Sequence, residues 1–362
     1  MENSSFSDRR MKSPLIIDPE DKKWLLLERV LSVTTSRRAK QEMAKAGLTP
    51  VANTGSILRL MLMALFFSVD ITYMVDELRN RAELRRFANI VHIPSADTVY
   101  RFISSINEDQ FVGLINALLR TECMNPRWHK NRTYLIDSTA ITLDLNIFKK
   151  RYTRSDPIEK DYAWGYSTTN GYYPGYKLTL VVEYPTLIPV AFFLHRGSPG
   201  DARLLAEVLN ELSRRRLLLT ADRIVCDKGY YSYNNYAVGV LDFKVIPIIF
   251  PKKGFEPKKM LRRMNYPLRI FSQHDYRKTQ KIYDRLVRTL LRTLERWEDF
   301  MGIRSLIEDL FKLAKESFSL RKLHRYSRVS VQKIVAVSVL LVGATVSAGV
   351  NKKTKIQKVA EW

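Results

Sequence analysis

The sequence predicts an α/β protein in which a mixed β-sheet is flanked by helices and preceded by an all-helical N-terminal domain. Residues 1–50 are polar and charged with weak helix signals, and from Gly55 onward apolar residues recur at helical spacing. Alternating runs rich in β-branched residues begin only after Arg132. Amphipathic helical segments then separate several of these runs, which is typical of a sheet that contains parallel strand pairs.

The N-terminal domain is predicted to span residues 1–125. Helices are expected, in chain order, near 19–46, from Gly55 onward, at Ile71–Ile90, at 98–106 and at 108–121. Ser95 is expected to be the N-cap of the fourth, because its hydroxyl can accept from a backbone N–H of the first turn.

The break between the third and fourth of these helices leaves two interpretations open. A helix, a short turn and a second helix, with Arg81, Arg85, Arg86 and Arg101 nearby, are typical of a helix-turn-helix reader of DNA. The alternative is an all-helical domain whose basic residues are surface residues only. The two interpretations have equal weight at this point.

Five runs rich in β-branched and aromatic residues are predicted to be strands. They read, in chain order, TYLIDSTAITLDL, YKLTLVVEYP, LIPVAFFLHR, RIVC and FKVIPIIF, the first being a strand or a hairpin. Helices are expected from GSPGDARLL and from Ser232, one on each side of the RIVC run. These elements belong to a predicted second domain at 126–330.

Residues 251–297 form a basic stretch, predicted to be an insertion before the helix that contains Glu308. The whole chain has 60 Lys and Arg against 37 Asp and Glu, a net charge of +23, which favours a polyanionic partner, most simply nucleic acid. Aromatic residues are spread among the basic ones, as in surfaces that stack on bases or sugars. The candidate DNA-binding residues here are Lys252, Lys253, Lys258, Lys259, Arg262, Arg263 and Trp297, with packing as the alternative role for Trp297.

The third predicted segment, 331–362, is an apolar helix followed by a basic tail. Residues 334–350 are uncharged, but 17 residues are at the lower limit for crossing a bilayer, so we expect a buried helix, with a tail anchor as the alternative. The two cysteines, Cys123 and Cys226, exclude a disulfide framework and a zinc cage. With no signal peptide evident at the start, these features predict a cytoplasmic, nucleoid-associated protein.

Three charged residues, Arg304, Glu308 and Lys315, are predicted to share one stripe of a single helix. At about 100° per residue, Glu308 lies roughly 40° and Lys315 roughly 20° around the helix from Arg304. A carboxylate can hold a metal ion and the flanking cations can hold phosphate. A solvated face with ordinary ion pairs is the alternative.

Two aspartates add to this pattern. Asp137 lies inside the first strand-like run and Asp227 directly follows the RIVC run. Because functional groups collect where strands of open α/β sheets end, we expect Asp137, Asp227 and Glu308 to converge. Three such carboxylates can hold two Mg²⁺ ions for in-line attack on a phosphodiester. Asp201 is instead expected to be a helix N-cap, and Asp222 a turn residue.

These motifs resemble those of prokaryotic insertion-sequence transposases of the DDE type. YLIDST is similar to the family's first Asp motif, and IVCDKGYYS to its second. One large branch continues with Tyr, two residues, Arg, three residues, Glu, six residues and Lys. The chain has Arg304, Glu308 and Lys315 at this spacing, with Met301 in the place of the tyrosine.

The resemblance implies a ribonuclease-H-like catalytic core in which Asp137, Asp227 and Glu308 bind Mg²⁺ or Mn²⁺, with two ions expected. Arg304 and Lys315 would grip phosphates beside the scissile bond. Such enzymes bind the terminal inverted repeats of their own element, cleave the ends of double-stranded DNA and join the 3′-hydroxyls to target DNA, usually as homodimers. Two alternatives stay open, a metal-dependent nuclease or resolvase that does not join, and an inactive DNA-binding relic.

Overall fold

The computed structural model describes residues 18, 20–47, 51–124, 132–143, 163–167, 171–264, 273–323 and 327–360. The predicted absence of a signal peptide concerns residues 1–17, which lie outside this set, as do the last two residues of the first predicted strand run. The described N-terminal part is helical. Its helices are α1 (Lys22–Ser32), α2 (Arg37–Lys45), α3 (Val51–Phe66), α4 (Ile71–Asn80), α5 (Ala82–Phe87), α6 (Ala96–Ser105) and α7 (Glu108–Leu118).

Side-chain caps fix where most of these helices begin. The side chains of Asp21, Ser36, Asp70, Ser95 and Asn107 each accept from a backbone N–H two or three residues further on. Each cap satisfies a donor that has no partner inside the helix. The predicted cap at Ser95 is confirmed, with an N–H···Oγ distance of 3.1 Å from Thr98.

Two of the predicted helices are wrong in extent, because each is divided in two. The predicted helix at 19–46 breaks after Ser32, where the Thr34 hydroxyl bonds back to the carbonyl of Leu31 and Ser36 then caps α2. The predicted helix at 71–90 breaks at Arg81, whose backbone is extended (φ −127°, ψ 101°). Local hydrogen bonding and one extended residue therefore override a continuous helical pattern.

A single mixed sheet contains the strands of the described chain. They are β1 (Thr133–Leu143), β2 (Ala163–Ser167), β3 (Gly171–Tyr184), β4 (Ile188–Arg196), β5 (Arg223–Cys226), β6 (Ile246–Ile249) and β7 (Lys322–Leu323). β4, β3 and β1 are antiparallel neighbours, and β5 and β6 continue the sheet parallel to β1. β2 pairs with the first residues of β3, and β7 with the end of β1. The order β4–β3–β1–β5–β6, with helices around it, is ribonuclease-H-like, so the predicted fold class is confirmed.

The helices of this second part lie between and after the strands. They are α8 (Asp201–Arg214), α9 (Tyr233–Leu241), α10 (Pro257–Met264), α11 (Gln273–Glu295), α12 (Met301–Lys312), α13 (Arg328–Ser347) and α14 (Lys353–Ala360). α9 and α11 pack on β6, α12 on β1 and α13 on β4. The basic stretch thus contains two helices, α10 and α11. Residues 265–272 of it, and the side chains of 273–279, lie outside the described set.

The apolar segment near the C-terminus is a core helix. α13 packs against α1, α3, α6 and α7 as well as against β4, so it joins the N-terminal helices to the sheet. It is long and apolar enough to cross a membrane, but 83% of that apolar window is buried inside the protein. α3 and α4 meet the same criterion only when counted together, and they are bent by 109° at their break. The expected burial of 334–350 agrees with this packing.

Lys333 is the buried charged residue of α13. Its ammonium group donates to the backbone carbonyls of Ile103 and Ile106 at the C-terminal end of α6. Burial lowers the pKa of Lys333, and Glu108 acts in the opposite direction. The cation is favourable there because helix C-terminal carbonyls carry partial negative charge. Lys333 therefore links α13 to the N-terminal helices.

A buried ion pair joins the residues that directly precede β1 and β5. Arg132 donates to the Asp222 carboxylate at 2.9 Å, and both side chains are almost fully buried. The carboxylate also accepts from the backbone N–H groups of Arg132 and Leu219. Asp222 is the last residue of a turn, as predicted, since its backbone N–H donates to the Leu219 carbonyl at 3.1 Å. Its side chain also fixes the strand pair at the end away from Asp137 and Asp227.

Candidate active site

Asp137 and Asp227 lie side by side because of the way β1 pairs with β5. The pairing is parallel, with Ile136 opposite Cys226, and each aspartate is the next residue along its chain. Asp137 therefore lies inside β1, and Asp227 directly follows β5. This is the edge of an open α/β sheet at which functional groups collect. The strand register thus brings together two of the three predicted acids.

The Asp137 carboxyl group is half-buried, and its pKa is raised from an ordinary 3.8 to about 7. Burial is the largest cause, because water solvates the charged form poorly there, and Asp227 and Asp201 raise the pKa further. The Ser138 backbone N–H, which donates to Oδ1 at 2.8 Å, and the Arg304 guanidinium lower it. The neighbouring hydrogen bond and the guanidinium therefore do not fully offset the cost of burying the charged carboxylate. A further cation nearby would stabilise it.

Three hydroxyl groups connect the strand of Asp137 to the turn after Asp227. Ser138 Oγ lies 2.9 Å from Thr179 Oγ1 on β3 and 2.7 Å from the Tyr230 hydroxyl. Tyr230 is fully buried and ends the short 3₁₀ turn Lys228–Tyr230 that follows Asp227. These hydrogen bonds fix the two acidic segments relative to one another. Their partners are distant in the sequence, so sequence reasoning missed the network.

Asp201 lies beside this turn and is not the predicted N-cap. Gly200 occupies the cap position of α8, and no side-chain cap bond forms there. The Asp201 carboxylate instead pairs with Lys177 of β3 at 2.6 Å. Its other oxygen lies so close to Gly229 that a Cβ there would approach it to 2.9 Å. The N-cap prediction is wrong because the carboxylate pairs with the buried Lys177 of β3 and makes no bond to the backbone of α8.

Arg304 on α12 contacts two of the predicted acids. One terminal guanidinium nitrogen lies 3.2 Å from Asp227 Oδ1, and the other contacts Glu308 Oε1, one helical turn further on. α12 packs on β1, which brings Arg304 and Glu308 to the edge where the aspartates lie. The predicted adjacency of Arg304 and Glu308 therefore holds, and Arg304 also joins Glu308 to Asp227.

Lys315 reaches the site by a different route from the one predicted. α12 ends at Lys312, and residues Leu313–Ser317 form a π-helical turn, so the predicted α-helical stripe stops before Lys315. The Lys315 ammonium donates to Thr139 Oγ1 at 2.6 Å. Thr139 lies two residues after Asp137 and therefore on the same face of β1. Burial lowers the pKa of Lys315, and Glu316 opposes this effect.

Asp137, Asp227 and Glu308 are the candidate ligands of a divalent metal ion. No three His, Cys, Asp or Glu side chains in the described part of the chain are grouped so that they would hold one as they stand. Around Asp227 the reason is the Arg304 guanidinium, which lies between two carboxylates. The donor chemistry nevertheless fits Mg²⁺ or Mn²⁺, because three carboxylates supply hard oxygen ligands, two of them already adjacent. The third, Glu308, is more than half exposed and has room to reorient.

The six predicted basic residues on and before α10 are all exposed. They are Lys252, Lys253, Lys258, Lys259, Arg262 and Arg263. Three of them, Lys259, Arg262 and Arg263, line a cleft of about 620 Å³ between α9 and α10, together with Tyr233 and one acid, Asp242. Such a cleft presents positive charge beside an aromatic ring, which suits a nucleic-acid backbone.

α11 adds a second basic surface. Its buried face consists of Tyr283, Leu286, Leu290 and Leu294. Its exposed face contains Lys281, Arg285, Arg288 and Arg292, again at helical spacing. Trp297, just beyond α11, is half-buried and packs on Phe250 with ring centroids 5.2 Å apart. Contact between Trp297 and DNA stays a prediction, and packing is the role visible in the fold.

Met301 begins α12, one turn before Arg304, and is half exposed. In the branch that the sequence resembles, a tyrosine occupies this position. The exposure of Met301 means that nothing in the core requires methionine there. The branch assignment itself stays a prediction.

Comparison with known proteins supports the family. The family model described as "Transposase DDE domain" matches residues 128–342, more than half of the chain, and the match includes all three predicted acids as well as Arg304 and Lys315. Neither the curated proteins nor the solved structures contain a significant match. The matched segment also contains the ribonuclease-H-like sheet. On this evidence the chain belongs to the DDE transposase family, as the resemblance of its motifs predicted.

Proposed function

We propose that this transposase binds the terminal inverted repeats of its own insertion element, cleaves the ends and joins the freed 3′-hydroxyls to target DNA. One observation carries the proposal. The parallel pairing of β1 with β5 places Asp137 beside Asp227, and Arg304 of α12 contacts both Asp227 and Glu308. Arg304 thus links Glu308 to the sheet edge at which Asp137 and Asp227 lie.

Asp137, Asp227 and Glu308 would hold the divalent cations. Two Mg²⁺ or Mn²⁺ ions held there would stabilise the negative charge on the attacking and leaving oxygens of a phosphodiester. The carboxylates themselves orient the reacting groups at the sheet edge, and the burial of Asp137 limits water there. The pairing of β1 with β5 fixes Asp137 relative to Asp227 before DNA binds, and Glu308 would reorient from α12 to complete the set.

Arg304 and Lys315 would position the phosphate. Arg304 offers a planar fork of donors suited to two phosphate oxygens, and Lys315 offers a point charge on the face of β1 that carries Asp137. Both side chains are largely withdrawn from solvent. An ion pair with phosphate is stronger at such a position than at an exposed one, because water screens it less.

Double-stranded DNA would extend from this edge across the basic surfaces of α10 and α11. The exposed cations there neutralise backbone phosphates without reading sequence. Reading of the terminal repeats falls to the N-terminal helices in this proposal, with α6 and its exposed Arg101 as the helix-turn-helix candidate. We further propose a homodimer in the DNA complex, since two element ends must be joined together.

The proposal is tested by three isosteric substitutions, Asp137→Asn, Asp227→Asn and Glu308→Gln, with Glu316→Gln as the control. Each of the three is expected to abolish cleavage of labelled element ends while end binding persists, because the carboxylate charge is lost and the shape is kept. Glu316 lies in the π-helical turn and pairs with Arg321, so its variant should cleave normally. Wild-type cleavage by one of the first three variants would remove that residue from the site.

A strand-transfer assay with the same labelled ends separates the proposal from its alternatives. A transposase yields joined products that contain target DNA. Release of cut ends without any joining, in the presence of target DNA, would indicate a nuclease or resolvase. Binding without cleavage by the wild-type protein in Mg²⁺ and in Mn²⁺ would indicate an inactive relic.

A further inference from the structure

A β-hairpin that extends from the sheet carries three exposed aromatic side chains on one face. In it, β2 pairs with the start of β3, so that Trp164 lies opposite Pro174 and Tyr166 opposite Tyr172. Residues directly opposite, and residues two apart on one strand, point to the same face. Trp164, Tyr166 and Tyr172 are 66%, 56% and 80% exposed. We call these three residues the aromatic platform.

Within the described part of the chain, none of the three residues belongs to the hydrophobic core or packs against it. Tyr166 and Tyr172 contact each other edge to face, with ring centroids 5.2 Å apart, and otherwise face outward. Large rings left in water on one small surface usually mark a binding site. The proposed chemistry at Asp137 and Asp227 does not use these three rings.

The opposite face of the hairpin is fixed to the fold. A Cβ at Gly165 would meet the Tyr173 ring at 2.8 Å and Ser198 at 2.9 Å, so only glycine fits there. The Ser198 hydroxyl donates to the Tyr166 carbonyl at 3.1 Å, and Gly197 packs against the backbone of Trp164. The platform is therefore held in place before any ligand binds, which reduces the ordering cost of binding.

The hairpin lies at the same end of the sheet as the candidate active site. Asp137 pairs with Leu180 of β3, and the pairing continues to Thr142 opposite Gly175, beyond which β3 runs on into the hairpin. At about 3.3 Å per residue, Pro174 lies about 20 Å along the strand from the level of Asp137. The Lys315 contact with Thr139 lies between the two levels. A DNA strand that leaves the active site in this direction would pass the platform.

We propose that the aromatic platform binds unpaired bases of DNA by stacking. The proposal rests on the proposed function, since it assumes that DNA lies at the sheet edge. Aromatic rings stack on any base, and the chain's net charge of +23 favours a polyanion. Among the described residues of the hairpin, this face has no aliphatic side chain apart from Pro174, whereas protein interfaces combine aromatic with aliphatic residues. Base stacking therefore accounts for its composition better than a second protein does.

The test measures binding of the full-length protein to two probes, a single-stranded oligothymidylate and a duplex of equal length, by fluorescence anisotropy. Tyr172→Leu keeps the apolar character and removes the ring, while Tyr172→Phe keeps the ring and removes the hydroxyl. We expect Tyr172→Leu to bind the single strand roughly tenfold more weakly, as for the loss of one stacked base. Tyr172→Phe should bind it like the wild type, and neither variant should change duplex binding.

Two results would overturn the inference. Equal single-strand affinity for Tyr172→Leu and wild type would remove the platform from DNA binding. Loss of self-association by Tyr172→Leu in sedimentation, with single-strand affinity unchanged, would make it an interface between copies of the chain. Failure of the wild-type protein to bind the duplex is a separate outcome, because it would contradict the proposed function as well as the platform.

Discussion

Arg304 pairs with Asp227 at 3.2 Å and, through its other terminal nitrogen, also contacts Glu308. One guanidinium thereby compensates two of the three acids that the proposed reaction needs. The arrangement is consistent with the burial of Arg304, whose side chain is only 19% exposed, because a buried cation requires paired anions. Arg304 and a divalent cation would therefore compete for the same carboxylates.

This competition predicts that Arg304→Gln binds Mn²⁺ more tightly than the wild type. The expected gain is about tenfold, since a hydrogen bond to a charged group contributes on the order of 1.5 kcal/mol. Titration calorimetry of the DNA-free protein measures it. Arg296→Gln is the matched control, because Arg296 is exposed and pairs with Asp299, which lies outside the site. Unchanged or weaker Mn²⁺ binding by Arg304→Gln would show that the guanidinium does not occupy the cation position.

The Tyr230 hydroxyl is predicted to support cleavage by holding Ser138 beside Asp137. Tyr230→Phe removes the 2.7 Å contact with Ser138 and should lower the free energy of unfolding by about 1 kcal/mol. We also expect slower end cleavage, because the segment of Asp137 loses one of its fixed contacts. Chemical denaturation and a cleavage time course measure the two effects.

Tyr236→Phe is the control for this prediction. Tyr236 is as fully buried as Tyr230, and its hydroxyl also makes one hydrogen bond, to the Ile249 carbonyl at 2.7 Å. Removal of the Tyr236 hydroxyl should lower the free energy of unfolding by a similar amount and leave the cleavage rate unchanged. If both variants slow cleavage equally, the effect of Tyr230 is one of general stability and not of position.

The elements that contain the candidate acids were predictable because their signals are local. Asp137 and Asp227 each belong to an apolar strand-like run, and Arg304 and Glu308 are one helical turn apart, so strand and helix periods were enough to place them. The α/β pattern predicted a mixed sheet, and the parallel pairing of β1 with β5 is consistent with it. The ion pair of Asp201 with Lys177 was not predictable, since it joins a strand to the start of a helix far along the chain.

Other differences have physical reasons of the same kind. β2 has five residues, one of them glycine, and the strand pattern of β3 begins at Gly171 in a run interrupted by Pro174 and Gly175, so neither matches the usual strand signal. α11 was obscured by its charges, although its buried face repeats at helical spacing. The π-helical turn at Leu313–Ser317 depends on packing and has no evident sequence signal.

Met301→Tyr is predicted to increase end cleavage. Met301 is exposed at the start of α12, one turn from Arg304, so a tyrosine would enter without disturbing the core and would place a hydroxyl near the proposed phosphate position. Cleavage rates of Met301→Tyr and Met301→Phe should differ if the hydroxyl acts. Equal rates for the two variants and the wild type would show that this protein does not depend on the branch's tyrosine.

The exposed face of α11 is predicted to contribute directly to the salt dependence of DNA binding. Each contact between a cationic side chain and a phosphate contributes about 0.9 to the magnitude of the slope of log affinity against log salt, so the loss of one contact reduces the slope by that amount. Arg292→Gln, on the exposed face, should therefore reduce the measured slope by about one unit. Arg214→Gln makes the same change in net charge, but Arg214 already pairs with Glu211 at 2.7 Å on α8, so its slope should match the wild type. Duplex affinity measured over a salt series gives both slopes. Equal slopes for the two variants would mean that net charge alone, and not contact with α11, sets the salt dependence.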